Sequence, residues 1–354
     1  MLFFKKKENK ILKFILQNML VLGFIFLSFW FLFSFWLKEF LNFNIVSVSQ
    51  TDFFKYFLNM LLAVWLYTGV YWIDKKEFIE HKKIIFKVVT LWVILKSAFI
   101  WGIFYFLTWN ILWFLLWIAI AQIDPLSVSH LIWKNKRLST KAETIFRSWS
   151  SFDAPVVILL SIYIVLPLID NTNVSLLEFF KIFSSFIISF LIYKLNINRL
   201  IDKYKLLKII LFIILTIVLI YFEMFLLIAL IALFIRPDFW KNIDYAVAWA
   251  FYISIFVLGM FLVNWVNIYS WILLGFLVFI SQFLVTFLFW KEFSFQDKMY
   301  LWFGQQNWIT SIILALFLEK YFPWQIVSTI WIAILTITIL YFSSNYILDR
   351  KFSK

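Results

Sequence analysis

The sequence predicts an all-α polytopic membrane protein of about twelve transmembrane helices. Three observations carry that prediction: an apolar content too high for one soluble core, apolar runs that recur at spanning length, and basic residues gathered in alternate connectors. Of the 354 residues, 64% are hydrophobic and 14% are charged, and the mean hydropathy is +0.94. A soluble globular chain is closer to half apolar and a quarter charged, so the solvent for most of these side chains is lipid. The 20 Trp and 47 Phe suit lipid-facing surfaces and interfacial belts.

The same composition excludes several classes of function. With no cysteine there is no disulfide, no thiolate metal site and no cysteine nucleophile. His81 and His130 are the only histidines, too few for a His-rich metal centre, and no cofactor motif is present. A formal charge of +13 would fit a nucleic-acid partner only on a basic soluble face. Here the lysines sit in short connectors between apolar runs, so the partner is the lipid bilayer and nucleic acid is not expected. The basic start Lys5-Lys-Lys-Glu-Asn-Lys10 precedes an apolar stretch too long for a signal peptide, which reads as the first span.

Runs of about 20 apolar residues place helices near 11–36, 53–73, 84–108, 110–133, 142–167 and 175–195. The series continues with 206–221, 222–236, 244–265, 268–290, 299–318 and 325–346. The stretch from Leu206 to Ile235 fits either one long helix or a tight hairpin, and charge decides between them. With the N-terminus inside, cytoplasmic segments carry Lys75, Lys76, Lys134, Arg137, Arg199, Lys203, Arg236, Lys291 and Arg350, among others. The opposite loops hold little beyond Lys38, Lys55 and Lys320. This asymmetry obeys the positive-inside rule only if 206–236 is a hairpin, with Glu223 near its outer turn. Both termini are then cytoplasmic, and no loop is long enough to fold as a separate domain.

Ionisable groups at bilayer depth are costly and point to function. Asp124 lies in the fourth span and Asp153 in the fifth, each about 15 Å from the cytoplasmic ends of those spans at 1.5 Å rise per residue. In a hydrocarbon core about 30 Å thick, both sit near the midplane. Pro125 and Pro155 follow closely. Pro125 removes a backbone donor, so the fourth span is interrupted at Ile123–Pro125. The freed ends of a broken helix can hold an ion. Asp124 could instead be only a cap at a proline kink, and Asp153 only a partner for Arg147 or Lys96. Lys96 is too deep to snorkel easily and is a candidate partner for either aspartate. Glu143 and Arg147, spaced i, i+4, form a structural ion pair.

A second interruption is expected in the eleventh span, where Gly304 is followed by the amides Gln305, Gln306 and Asn307. Amides in hydrocarbon need partners, so an interhelical hydrogen-bond cluster is the plainer account. Position favours a second broken helix crossing the first. The fourth and eleventh spans are each the middle of a three-helix group, 84–167 and 268–346, and corresponding spans of the two groups are about seven apart, an odd offset that makes the groups enter from opposite faces. That is an inverted repeat, a common transporter plan. The expected division is 1–83 for N-terminal helices of a scaffold or dimerisation domain, 84–195 and 268–354 for the two halves of an ion-translocating core, and 196–267 for interdomain and scaffold helices.

These residues resemble the monovalent cation/proton antiporter superfamily, the sodium/proton exchangers. Ile123-Asp124-Pro125 is similar to the family's Thr-Asp-Pro in its broken fourth span. Asp153 falls 29 positions after Asp124, the spacing expected there for the ion-carrying aspartate. Ala232-Leu-Phe-Ile-Arg-Pro237 looks like a family segment ending in Leu-Arg-Pro, and Ile255-Phe-Val-Leu-Gly-Met260 is similar to another family stretch. Gly304-Gln-Gln-Asn307 takes the place of a Gly-x-Arg-Gly motif. The likeness covers roughly residues 84 to 346. It departs where Ile123 replaces threonine, leaving only backbone to ligate a cation, and where Phe152 and Ala154 leave a single carboxylate at the fifth-span site. The family's tenth-span cation is absent too, with Gln282 the nearest candidate and Lys96 a source of that charge from another helix.

What the resemblance implies is exchange of a monovalent cation, Na⁺ first, for protons across the cytoplasmic membrane, with Asp153 as the shared carrier. Asp124, the Ile123 backbone, Ser150 and Ser151 would complete the site, supported by Gly304, Gln305, Gln306, Asn307, Gln282 and Lys96. Oxygen ligands of this kind suit a hard cation that is cargo rather than a resident metal. Related antiporters are often dimers, so a homodimer is also implied. Two rivals stand beside this reading: a sodium-coupled carrier of organic solutes on a related inverted-repeat plan, and a polytopic enzyme acting on lipid or glycan. Short loops and mid-depth carboxylates count against the enzyme.

Overall fold

The structure, a computed structural model, describes residues 19–41, 51–71, 73, 75–87, 91, 93–108, 120, 122–123, 128, 132, 138–160, 176–195, 205–236, 243–261, 268–288, 293–304, 309–319 and 326–352. Among them the regular elements are all helices. In chain order these are α1 (Met19–Leu41), α2 (Asp52–Tyr71), α3 (Lys75–Glu80), α4 (Lys82–Lys87), α5 (Val93–Thr108), α6 (Thr140–Leu160) and α7 (Leu176–Leu195). There follow α8 (Lys205–Tyr221), α9 (Phe225–Phe234), α10 (Ile243–Phe261), α11 (Ile268–Leu288), α12 (Phe295–Phe303), α13 (Ile309–Glu319) and α14 (Ile326–Phe352).

Most predicted spans coincide with these helices to within a few residues, and the exceptions have readable causes. The third span, 84–108, is met by two helices, α4 and α5. Lys82, Lys83 and Lys87 give α4 a charge density suited to the membrane surface, not its interior. The eleventh span is likewise two helices, α12 and α13, with Gly304 closing the first. α14 runs past the predicted end at 346 to Phe352, because its polar tail keeps helical spacing. Arg350 and Lys351 lie in its last turn, where cations favour the negative end of the helix dipole. The predicted fourth span falls mostly outside the described residues. Ile120, Val128 and Ile132 are helical there, whereas Gln122 and Ile123 are not.

The hairpin inferred from charge is present. Tyr67 on α2 meets the Phe212 ring on α8, with centroids 5.2 Å apart, and its hydroxyl donates to the Ile235 carbonyl just beyond α9 at 2.6 Å. At the other end of α2, Tyr56 stacks on Tyr221, and Lys55 pairs with Glu223 at 2.7 Å. One helix can touch both flanks and the tip in this order only if the chain reverses at Glu223. That reversal requires the left-handed conformation that Glu223 adopts, with φ 58°.

Small residues allow the closest helix crossings, as expected where lipid supplies no hydrophobic drive between helices. A Cβ on Gly275 of α11 would lie 2.6 Å from Thr336 Cβ and 2.9 Å from the Ala333 carbonyl of α14. Gly259 of α10 packs as tightly on Trp30 of α1, and Ser34 donates to the Gly259 carbonyl at 3.0 Å. Large apolar side chains cover the outside: Phe29, Leu32 and Phe40 on α1, Phe183 and Phe190 on α7, Ile213 and Ile217 on α8 are all exposed. Such a surface belongs in hydrocarbon.

Candidate functional site

Asp153 lies on α6 and is 2% exposed. Its Oδ2 accepts the Ile123 backbone N–H at 2.8 Å. That amide is free to donate because Gln122 and Ile123 are not helical although Ile120 before them and Val128 after them are. An interrupted helix leaves backbone groups without intrahelical partners, and a buried group of this kind must find one elsewhere. Ile123 therefore contributes its N–H in this structure, where the resemblance had assigned it a cation-binding backbone role.

Lys96 of α5, also 2% exposed, is close enough to interact electrostatically with Asp153. Its Nζ donates to Gln282 Oε1 on α11 at 3.2 Å. Gln282 Nε2 in turn donates to the Leu301 carbonyl at 3.3 Å. Leu301 lies in the last turn of α12, whose carbonyls lose their helical partners when the helix stops at Gly304. Asn345 of α14 takes the Phe303 carbonyl of the same turn at 3.1 Å. Thus Gln282 joins a buried ammonium to the carbonyl end of one interrupted span, while the aspartate faces the amide of the other. Charges of opposite sign stand beside two broken helices.

The remaining sequence candidates are distributed as follows. Ser150 donates to the Arg147 carbonyl at 3.0 Å. The Ser151 hydroxyl lies 2.7 Å from the Arg147 carbonyl and 2.6 Å from the Gly69 carbonyl of α2. Both hydroxyls are engaged with backbone, their oxygens keeping lone pairs for a ligand. Arg147 pairs with Glu143 at 3.0 Å. Gly304 is buried and caps α12. Asp124, Pro125, Gln305, Gln306 and Asn307 lie outside the described residues.

Sequence reasoning passed over Asn345, Ser139, Ser294 and Asp297. Asp297, 4% exposed, accepts from the Ser139 backbone N–H and from the hydroxyls of Ser139 and Ser294, each at 2.9 Å. A signal existed in Ser294-Phe-Gln-Asp297, a capping pattern that opens α12. Nothing in the sequence pointed to Ser139 as its partner across the fold.

No family model matches the chain, and no curated protein matches it in sequence. Among solved structures, the chain is similar to the sodium proton antiporter MjNhaP1 from Methanocaldococcus jannaschii, determined at pH 8. The match has a TM-score of 0.58 and 16% identity, and covers 97% of this chain and 97% of that one. At this identity the likeness shows the fold alone, and the chain is built on the fold of that antiporter over nearly its whole length.

Proposed function

We propose that this protein is a secondary active transporter of the cytoplasmic membrane that exchanges a monovalent cation, Na⁺ before others, for protons, with Asp153 carrying one or the other. The observation that supports this most directly is the contact between the buried Asp153 carboxylate and the freed Ile123 amide, with Lys96 nearby. The N–H anchors Oδ2 and holds the carboxylate in place. A proton or a small cation bound at the carboxylate cancels the same charge, so occupancy by one displaces the other. Lys96 is kept in the site through Gln282, at the negative end of α12. Asp124 and the oxygens of Ser150 and Ser151 would complete the ligand shell.

Alternating access would move the core, 84–195 with 268–354, against 1–83 with 196–267. Proteoliposomes loaded with a pH-sensitive dye test the exchange. Wild type should show proton movement that depends on a Na⁺ gradient, and Asp153→Asn should show none. Equal flux in the two proteins would remove Asp153 as the carrier. Sodium-dependent uptake of an organic solute without proton movement would favour the solute-carrier reading.

A further inference from the structure

A carboxylate remote in sequence from Asp153 ties two helices of the molecule together at their starting ends. Ser139 N-caps α6, its Oγ accepting the Ala142 N–H at 3.2 Å. Ser294 N-caps α12, its Oγ accepting the Asp297 N–H at 3.1 Å. Both serines then turn their hydroxyl protons onto the same acceptor, Asp297 Oδ2, and the Ser139 backbone N–H takes Oδ1. Three donors on two oxygens leave this buried carboxylate well satisfied, and its negative charge sits beside two positive helix starts. One cap alone would need only the serine of its own helix. The second set of bonds serves the contact between helices.

We propose that Asp297 is a positioning residue that fastens the start of α6, which carries Asp153, to the start of α12, the first half of the interrupted eleventh span, so that both halves of the core move as one body. The inference rests on the exchange proposed above only for its transport readout. α6 comes from the first half of the core and α12 from the second, and Asp297 is held by 2.9 Å bonds reaching from one to the other. A core that slides as a unit keeps this junction closed throughout the cycle. A core whose halves separate must break it.

The native chain has no cysteine, so the junction can be rebuilt covalently. Asp297→Ala should lower the maximal exchange rate by about tenfold to a hundredfold, the scale of loss from a displaced site, with the cation KM unchanged. Ser139→Cys combined with Asp297→Cys should be as slow when reduced and regain near wild-type rate when bridged by a short bis-methanethiosulfonate. A bridged protein that stays slow, an Asp297→Ala protein that runs at wild-type rate, or a loss confined to KM would overturn the proposal. If the wild type exchanges no protons, the junction is read by amide hydrogen exchange on the intact protein. Asp297→Ala should then speed exchange in the first turns of both α6 and α12, and an effect limited to α12 would reduce Asp297 to an ordinary cap.

Discussion

Lys96 and Gln282 show how much a single hydrogen bond decides between fully buried side chains. An ammonium in this setting needs an acceptor, and among the described residues Gln282 Oε1 is the one that accepts from its Nζ. Replacing Gln282 by Leu removes that acceptor and also the amide donor to the Leu301 carbonyl. Gln282→Leu should therefore destabilise the protein by about 1.5–3 kcal/mol, the usual weight of a hydrogen bond to a charged group, read by unfolding in detergent. Gln282→Glu keeps an acceptor for Lys96 and should retain more of the stability than the leucine variant. Lys96 was visible in the sequence as a charge too deep to snorkel, and Gln282 only through the family resemblance, as the residue nearest the place of the tenth-span cation. Their bond was not, since 186 positions separate them.

Elements were legible wherever composition matched environment. α2, α7, α10 and α11 follow from apolar runs of spanning length, and the stop at Gly304 from a glycine followed by amides. Boundaries slipped where charges were mixed into apolar runs, as at α4, or where a polar tail kept helical spacing, as in α14. The closeness of helix crossings also had to come from the fold. A methyl group at Gly275 meets the backbone of α14, which cannot rotate aside. Gly275→Ala should cost about 1–3 kcal/mol through overpacking. Gly102→Ala, with nothing within 4 Å of the new carbon, should leave stability equal or higher in the same detergent melt, because alanine is the better helix former. Equal behaviour of the two variants would mean that α11 and α14 do not approach as described.

For the whole molecule, the reversal at Glu223 is the test of orientation. Lys55 and Glu223 share one end of α2, and Arg236, whose Nη2 donates to the Ile73 carbonyl at 2.7 Å, lies at the other. If basic segments are cytoplasmic, a cysteine placed at Glu223 should react with an impermeant maleimide from outside intact cells. One placed at Lys76 should react only after the membrane is opened. Labelling of both from the same side would contradict the hairpin, and a swapped pattern would invert the molecule.

By itself the sequence determined the class of the protein: its apolar share, the length of its runs and the asymmetry of its basic residues leave lipid as the only consistent solvent. It also marked Asp153 and the two places where spans break, because a carboxylate, a proline or a run of amides is conspicuous against an apolar background. Only the tertiary structure decided which of these groups meet. The Ile123 amide on Asp153, Gln282 between Lys96 and Leu301, and Asp297 between two serines each join distant parts of the chain. Burial in lipid demands that every such polar group find a partner, but says nothing about which one, and that choice is made by how the helices cross.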